Sequence, residues 1–515
     1  MHPAPAAEHP LHRLLPRLGS DEEFKALGSV LECCRYDRDS ICRRLEIPEI
    51  WDYRSIRQHR EAGTATEEPL DVLIRLFLDN EFVAQDEIDA LLPAAAVPVM
   101  EGLGLLERDT KRRELRFATV TLYPAMGFLV ASDRATAPDP GADYWLPADV
   151  VYPAVVENTR TFLETMPDMA CDAFLDLGTG TGIAALLASR FAGRAWATDI
   201  TPRAARFAEF NRRLNGADQV EVVEGDLYAP VEGFTFDRIV THPPYVPTLR
   251  PRFVFRDGGD DGEQIIRRVI EGLPRFLRPG GLFYSLVLGA DCDGEQFEER
   301  IRKWLGEARQ EFDVILVSHS LRTPKEFLSS AIIKKTTNYE ELYFWQEMWE
   351  RRKTDFLFYG NVVLRRHDAR RTATVTRLQR GSGFSGKHFG WMLDWQADAH
   401  DPASAGRLME YRPEISPDCQ LKVLSRVRDR RFVPEAFAME TESPFTAECR
   451  CQEWMVRLVA ACDGRKSWRE HFDAAKAAGT IPAEATEREF ASILEAMVTN
   501  GILRLPERPM PGGGA

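Results

Sequence analysis

Apolar residues recur at helical spacing over Leu70–Leu78 and over Glu87–Leu105. The stretch from Ile88 to Leu106 reads as helix, short turn, helix, closed by "GLGLLERD". From Glu114 to Leu122 the chain alternates, "ELRFATVTL", as a half-buried strand does. Between about 145 and 367 the pattern changes to short apolar runs separated by helical segments. The runs "AFLDLG", "RAWATDI", "VEVVEGD", "FDRIVTH", "GLFYSLVLG", "FDVILVSHS" and "DFLFYGNVVLRR" predict strands, with helices at Ile183–Phe191 and Pro202–Leu214. Repeated strand–helix units imply a mostly parallel, doubly wound sheet with a ligand crevice at the carboxyl ends of its strands. After about 375 come strand-like pieces, a helical stretch from Glu453, and a helix followed by a short strand in "EREFASILEAMVTNGILRL".

These shifts divide the chain into 1–140, 144–370 and 375–508, with a disordered tail at 509–515. The Pro- and Gly-rich stretch Thr136–Asp143 reads as a linker. The outer segments each have a winged-helix-like order of helices and strands; for the first, packing or dimerisation is favoured over direct substrate recognition, and for the last a structural role suffices. A length of 515 residues agrees with about three domains. The net charge of -14 weighs against a generic polyanion binder, although a local basic surface is compatible with it. Nine cysteines, an odd number with no CxxC pair, fit free thiols in a reducing compartment. Cys449, Cys451 and His471 match no standard zinc spacing, so no metal is expected. No signal-peptide pattern and no apolar run near the ~18–20 residues that span a bilayer is present. The expectation is a soluble, cytoplasmic protein without a membrane partner, its oligomeric state left open.

The strongest chemical signal is "FLDLGTGTGIAALLASR", Phe174–Arg190. Gly178, Gly180 and Gly182 follow a strand and precede a helix, with Asp176 on the strand just before them. Glycines there let the backbone turn tightly and approach a ligand. Asp199 ends the next strand, where a carboxylate can accept both ribose hydroxyls, and Asp226 ends the third, within reach of an adenine amino group. The G-x-G-x-G spacing departs from that of nicotinamide dinucleotide sites. Over Tyr144–His367 the sequence resembles the class I S-adenosylmethionine-dependent methyltransferases. The resemblance implies an α/β fold with a central seven-stranded Rossmann-like domain. It also implies S-adenosylmethionine as cofactor, its methionine part on Asp176 and the glycine loop, its ribose on Asp199 and its adenine at Asp226.

"THPPYVP", Thr241–Pro247, follows the fourth strand. It is similar to the N-P-P-Y signature of methyltransferases acting on planar nitrogens, such as release-factor glutamine and ribosomal RNA N-methyltransferases. In those enzymes the first residue and a backbone carbonyl accept the N–H groups of the acceptor, and the tyrosine stacks on its plane. Here His242 replaces the Asn, followed by Pro243, Pro244 and Tyr245. A neutral imidazole can accept one hydrogen bond, act as a general base, or simply terminate the strand. Gly258, Gly259 and Gly262 in "RDGGDDGEQIIRRVI" read equally as a plain loop or as a segment that follows the catalytic loop in this family. "WLPADVVYP", Trp145–Pro153, lies where the family has a segment helping to cover the site. The aromatics of Thr323–Lys353 fit a buried helix face better than a base-stacking wall, and the C-terminal segment is similar to small peptide-binding modules. The function expected is methylation of an amide or amino nitrogen on a protein or RNA. The alternatives are a metabolite methyltransferase and a non-catalytic binding protein with a degenerate fold.

Overall fold

A computed structural model describes residues 9–52, 67–139, 144–334, 337–367, 372–401 and 404–511. The fold is α/β, in two compact units: one of residues 1–163 and 170–276, the other of 164–169 and 277–515. The boundary at 276/277 falls inside the segment that the sequence reads as one domain, 144–370.

The first unit opens with helices α1 (Asp21–Cys33), α2 (Arg38–Leu45) and α3 (Pro69–Phe77). Ser20 and Glu23 form a reciprocal cap at the start of α1. Strand β1 (Phe82–Ala84), α4 (Gln85–Leu91), α5 (Ala96–Gly102), β2 (Leu106–Arg108) and β3 (Leu115–Ala118) follow, the strands pairing antiparallel in the order β1-β3-β2. The single strand expected over 114–122 is broken at Thr119, which donates its N–H to Leu105 O and its hydroxyl to Gly104 O. The chain then enters a separate hairpin, β4 (Val120–Ala125) and β5 (Phe128–Asp133). Alternation continues through the break, so the pattern alone did not reveal it. The linker expected at 136–143 is irregular over 136–139, and 140–143 lie outside the described residues.

Four parallel strands form the centre of this unit: β6 (Cys171–Leu177), β7 (Ala192–Asp199), β8 (Val220–Glu224) and β9 (Phe236–Thr241), in the order β8-β7-β6-β9. Their registers bring Leu177 beside both Thr198 and Thr241, and Asp199 beside Glu224, so the carboxyl ends line up. α6 (Glu157–Glu164), α7 (Ile183–Ala188), α8 (Pro202–Leu214) and α9 (Gln264–Phe276) complete the helices. α7 ends three residues before the expected Phe191. α8 starts where Thr201 accepts the Ala204 N–H ahead of Pro202 in the first turn.

Hairpin β4–β5 is bonded to α8. The Asn211 side chain accepts from Ala131 N at 2.8 Å and donates to Ala131 O at 2.9 Å. Arg203 makes a two-pronged ion pair with Asp133 at 2.6 and 2.7 Å and donates to His12 O at 2.7 Å, both charged side chains being buried. Removing one partner would leave the other charge buried and unpaired. Arg203→Leu should therefore destabilise the fold by about 3–5 kcal/mol, read as a lower denaturant midpoint.

In the second unit, β10 (Leu277–Cys292), β11 (Phe312–Arg322), β12 (Thr354–Arg366), β13 (Val375–Arg380), β15 (Gln420–Arg428), β16 (Arg431–Thr441) and β17 (Phe445–Cys451) lie in the order β10-β12-β11-β13-β17-β16-β15. A short pair, β14 (Glu414–Ile415) with β18 (Leu503–Arg504), stands apart from it. The aromatic stretch forms helices Pro324–Lys334 and Tyr339–Arg351, where Trp345 and Trp349 pack edge-on against Phe327. Of the expected tail, 509–511 are irregular and 512–515 lie outside the described residues.

Candidate active site

A strand that ends at a sheet edge must turn, and four such turns meet at the carboxyl ends of β6–β9. Gly178 N and Thr179 N donate to Thr198 O at 2.8 and 2.9 Å, Gly225 N to Asp199 O at 2.8 Å, and the Thr241 hydroxyl to Leu177 O at 2.8 Å. These bonds pin the glycine loop, the two acidic strand ends and the histidine motif to one another. Between them lies a cavity of about 670 Å³.

All the sequence-predicted site residues line this cavity except Gly182. Gly178 and Gly180 have φ of +70° and +56°, and a Cβ on either would meet nothing within 4 Å, so both turn bare backbone towards open space. Gly182, at φ +83°, sits behind the wall, where a Cβ would come 3.2 Å from the Ala208 backbone of α8. Its place is helix packing rather than ligand contact.

Asp176 is buried and accepts from the Thr179 hydroxyl. Burial raises its carboxyl to about 7, opposed by that hydrogen bond and reinforced by the charge of Asp199. Asp199 accepts from Gly180 N at 3.0 Å, and from Thr201 N and Oγ1 at 3.0 and 3.1 Å. Burial raises its carboxyl too, against these donors. Asp226 accepts from Arg268 at 2.6 Å.

His242 is half-buried, its ring 5.2 Å from that of Phe162 on α6 and inclined by 14°. Burial lowers its pKa to about 4, so the imidazole is neutral near pH 7. Its Nε2 is buried and has no hydrogen-bond partner. The Tyr245 hydroxyl accepts from Asn158 Nδ2 at 2.7 Å, which fixes the phenol beside the motif.

The glycines at 258–262 brace the motif from behind. Val246 N donates to Arg256 O at 3.0 Å, Gly258 N to Val246 O at 2.9 Å and Thr248 N to Gly259 O at 2.8 Å. A Cβ on Gly258 would lie 2.8 Å from Pro244 O and 2.9 Å from Tyr245 Cα, both backbone atoms that cannot move alone. Gly258→Ala should displace Pro244 and Tyr245 and destabilise the fold, measured as a lower thermal midpoint.

The chain is 36% identical over 162 residues to a release factor glutamine methyltransferase of Moorella thermoacetica, covering 27% of this chain and 56% of that protein. It is 35% identical over 164 residues to a ribosomal protein uL3 glutamine methyltransferase of Bradyrhizobium diazoefficiens, covering 29% and 51%. The model of the methyltransferase small domain matches residues 154–310. Identity is 33% over 148 residues to a putative protein N5-glutamine methyltransferase of Methanocaldococcus jannaschii, covering 27% of this chain and 73% of that protein. The chain belongs to the class I S-adenosylmethionine-dependent methyltransferases. It spans about half the length of the first two relatives.

Within this methyltransferase the expected covering segment is in place, since 148–152 line the cavity and Ala148 O accepts from Val254 N at 2.9 Å. Phe162, Asn158 and the stacking of Tyr152, within that segment, on Phe255 with centroids 4.9 Å apart were not anticipated. Only Phe255 lies near the motif in sequence; the others precede His242 by 80 or more residues.

Proposed function

We propose that this protein transfers a methyl group from S-adenosylmethionine to the side-chain amide nitrogen of a glutamine in a protein substrate. The observation that carries this reading is the four-residue motif His242–Tyr245 held against the glycine loop in one cavity, with a neutral imidazole at its head. Asp176 and the bare backbone of Gly178 and Gly180 would hold the methionine part of the cofactor, Asp199 the ribose and Asp226, with Arg268, the adenine. The bound cofactor supplies an electrophilic methyl on a sulfonium. An amide nitrogen is a weak nucleophile, so orientation is the main task of the protein. His242 and the Pro243 carbonyl would accept the two amide N–H groups, and Tyr245, fixed by Asn158, would cover the amide plane.

A protein substrate is favoured by Val254 and Phe255, exposed apolar side chains on the cavity wall, with the exposed Leu249 nearby in sequence. The names of the relatives, glutamine methyltransferases of release factors and a ribosomal protein, support the same class. We further propose a seven-stranded Rossmann-like domain over 144–370 between winged-helix-like segments at 1–140 and 375–508. Cytoplasmic residence fits the free state of all nine cysteines, and no helix among the described residues is long and apolar enough to cross a membrane.

The test is incubation of the purified protein with methyl-tritiated S-adenosylmethionine and, separately, the protein and RNA fractions of a cell extract. Label recovered as N5-methylglutamine after enzymatic digestion supports the reading. Label confined to RNA, or to small molecules, overturns it.

A further inference from the structure

We propose that the hairpin of β15 and β16 is an RNA-docking arm that takes a single-stranded segment. Phosphates would lie on its arginine face and a base on its aromatic face.

Directly opposed residues of an antiparallel pair share a face, and successive pairs alternate. At the end of this hairpin Arg428 lies opposite Arg431, Val427 opposite Phe432, and Arg426 opposite Val433. One face therefore carries Arg426, Arg428 and Arg431, together with Val433, and the other carries Val427 and Phe432. Neither apolar side chain is covered: Val427 is 60% and Phe432 79% exposed.

The arrangement opposes the hairpin's own stability in two ways. Like charges directly across a ladder repel. Glu435 meets Arg426 at 2.9 Å and Arg428 at 3.6 Å, which leaves Arg430 and Arg431 with no ion pair among the described residues. The turn residues Asp429 and Arg430 have φ of +49° and +61°. A two-residue turn of this kind favours Asn-Gly, and an arginine there costs about 1 kcal/mol in backbone strain. Folding alone would select a different tip. An anion bound to the guanidinium groups relieves the repulsion.

A polyanion suits the arm for a further reason. The chain as a whole carries -14, so a polyanion is repelled by most of its surface and attracted where four arginines face Asp429 and Glu435. Guanidinium groups bind phosphate through paired N–H donors, and a base stacks on an exposed aromatic ring. The two faces look in opposite directions, so the RNA strand would pass round the hairpin tip, its phosphates on the arginines and one base on Phe432, two residues from the turn. A lipid surface fits less well, because inserting Phe432 would turn the arginine face away from the headgroups.

The test uses the full chain and a fluorescein-labelled oligouridine of about 20 nucleotides, followed by anisotropy at increasing salt. Wild type should bind, with log affinity falling against log salt at a slope of about 2, for three phosphate contacts. A variant carrying Arg430→Glu and Arg431→Glu should lose tenfold or more. Its thermal midpoint should not fall, since the acid at 431 would pair with Arg428. Phe432→Ala should lose about fivefold or more, from the stacking of one base. Arg465→Glu, outside the hairpin, should change little. Equal affinity of the charge-reversed variant, no binding at low salt, or preferential capture by phosphatidylglycerol vesicles that Phe432→Ala abolishes would each overturn the proposal.

Discussion

Asp176→Asn is expected to stabilise the fold at pH 8 while weakening S-adenosylmethionine binding at least a hundredfold. Burial raises the Asp176 carboxyl from 3.8 to about 7, so its ionised form is disfavoured in the folded protein. A raised folded-state value means that the contribution to stability is fully present below the unfolded value and is lost as pH rises through about 7. At pH 8 wild type carries the full cost of a desolvated carboxylate beside Asp199, on the order of 4 kcal/mol for a shift of this size. The amide has no charge to desolvate and still accepts from Thr179. Its thermal midpoint should rise by several degrees.

In the proposed cofactor placement, the sulfonium and ammonium groups would draw on that same carboxylate. Binding should therefore expel a proton, and wild-type affinity should climb towards about tenfold per pH unit below pH 7 and level off above it. The variant should bind weakly with no slope. Scanning fluorimetry and calorimetric titration between about pH 6 and 8 check both halves. A wild-type affinity flat over that interval would remove Asp176 from the cofactor site, and an unchanged midpoint would show that the carboxylate carries no such cost.

The features that the sequence made readable are those set by neighbours in the chain. Gly178, Gly180, Asp199 and Asp226 belong to strand-to-helix turns whose shape is decided within a few residues, and the register of four parallel strands then brings the turns together. The same locality misled at Gly182, where the spacing fits a ligand loop but the neighbour is α8. Phe162 and Asn158 precede His242 and Tyr245 by 80 or more residues, and no periodic signal links residues that meet only when α6 is brought against the histidine motif. Gly258 was undecidable for the same reason, because its lack of a side chain matters only against Pro244 and Tyr245. The break at Thr119 and the Arg203–Asp133 pair are likewise products of tertiary packing.

His242→Ala is expected to reduce kcat by about 10²–10³ with little change in cofactor affinity, the size of effect seen when one preorganised polar contact to the reacting group is lost. The decisive comparison is with His242→Asn. If the imidazole serves only as a neutral acceptor, asparagine supplies an equivalent carbonyl and should keep kcat within about tenfold of wild type. If it serves as a proton acceptor for a more basic nucleophile, asparagine cannot replace it and should fall with alanine. The pH profile tests the nucleophile itself. With the imidazole held near 4 by burial, wild-type kcat should be level from about pH 5.5 to 8. An ordinary amine acceptor, largely protonated over that range, would impose a falling acid limb of its own whatever residue stands at 242. Steady-state assays of the three proteins on one methylated protein substrate give both readouts. A level profile with an active asparagine variant assigns His242 to orientation of an amide. An acid limb present in all three proteins would move the reaction to a basic amine nucleophile.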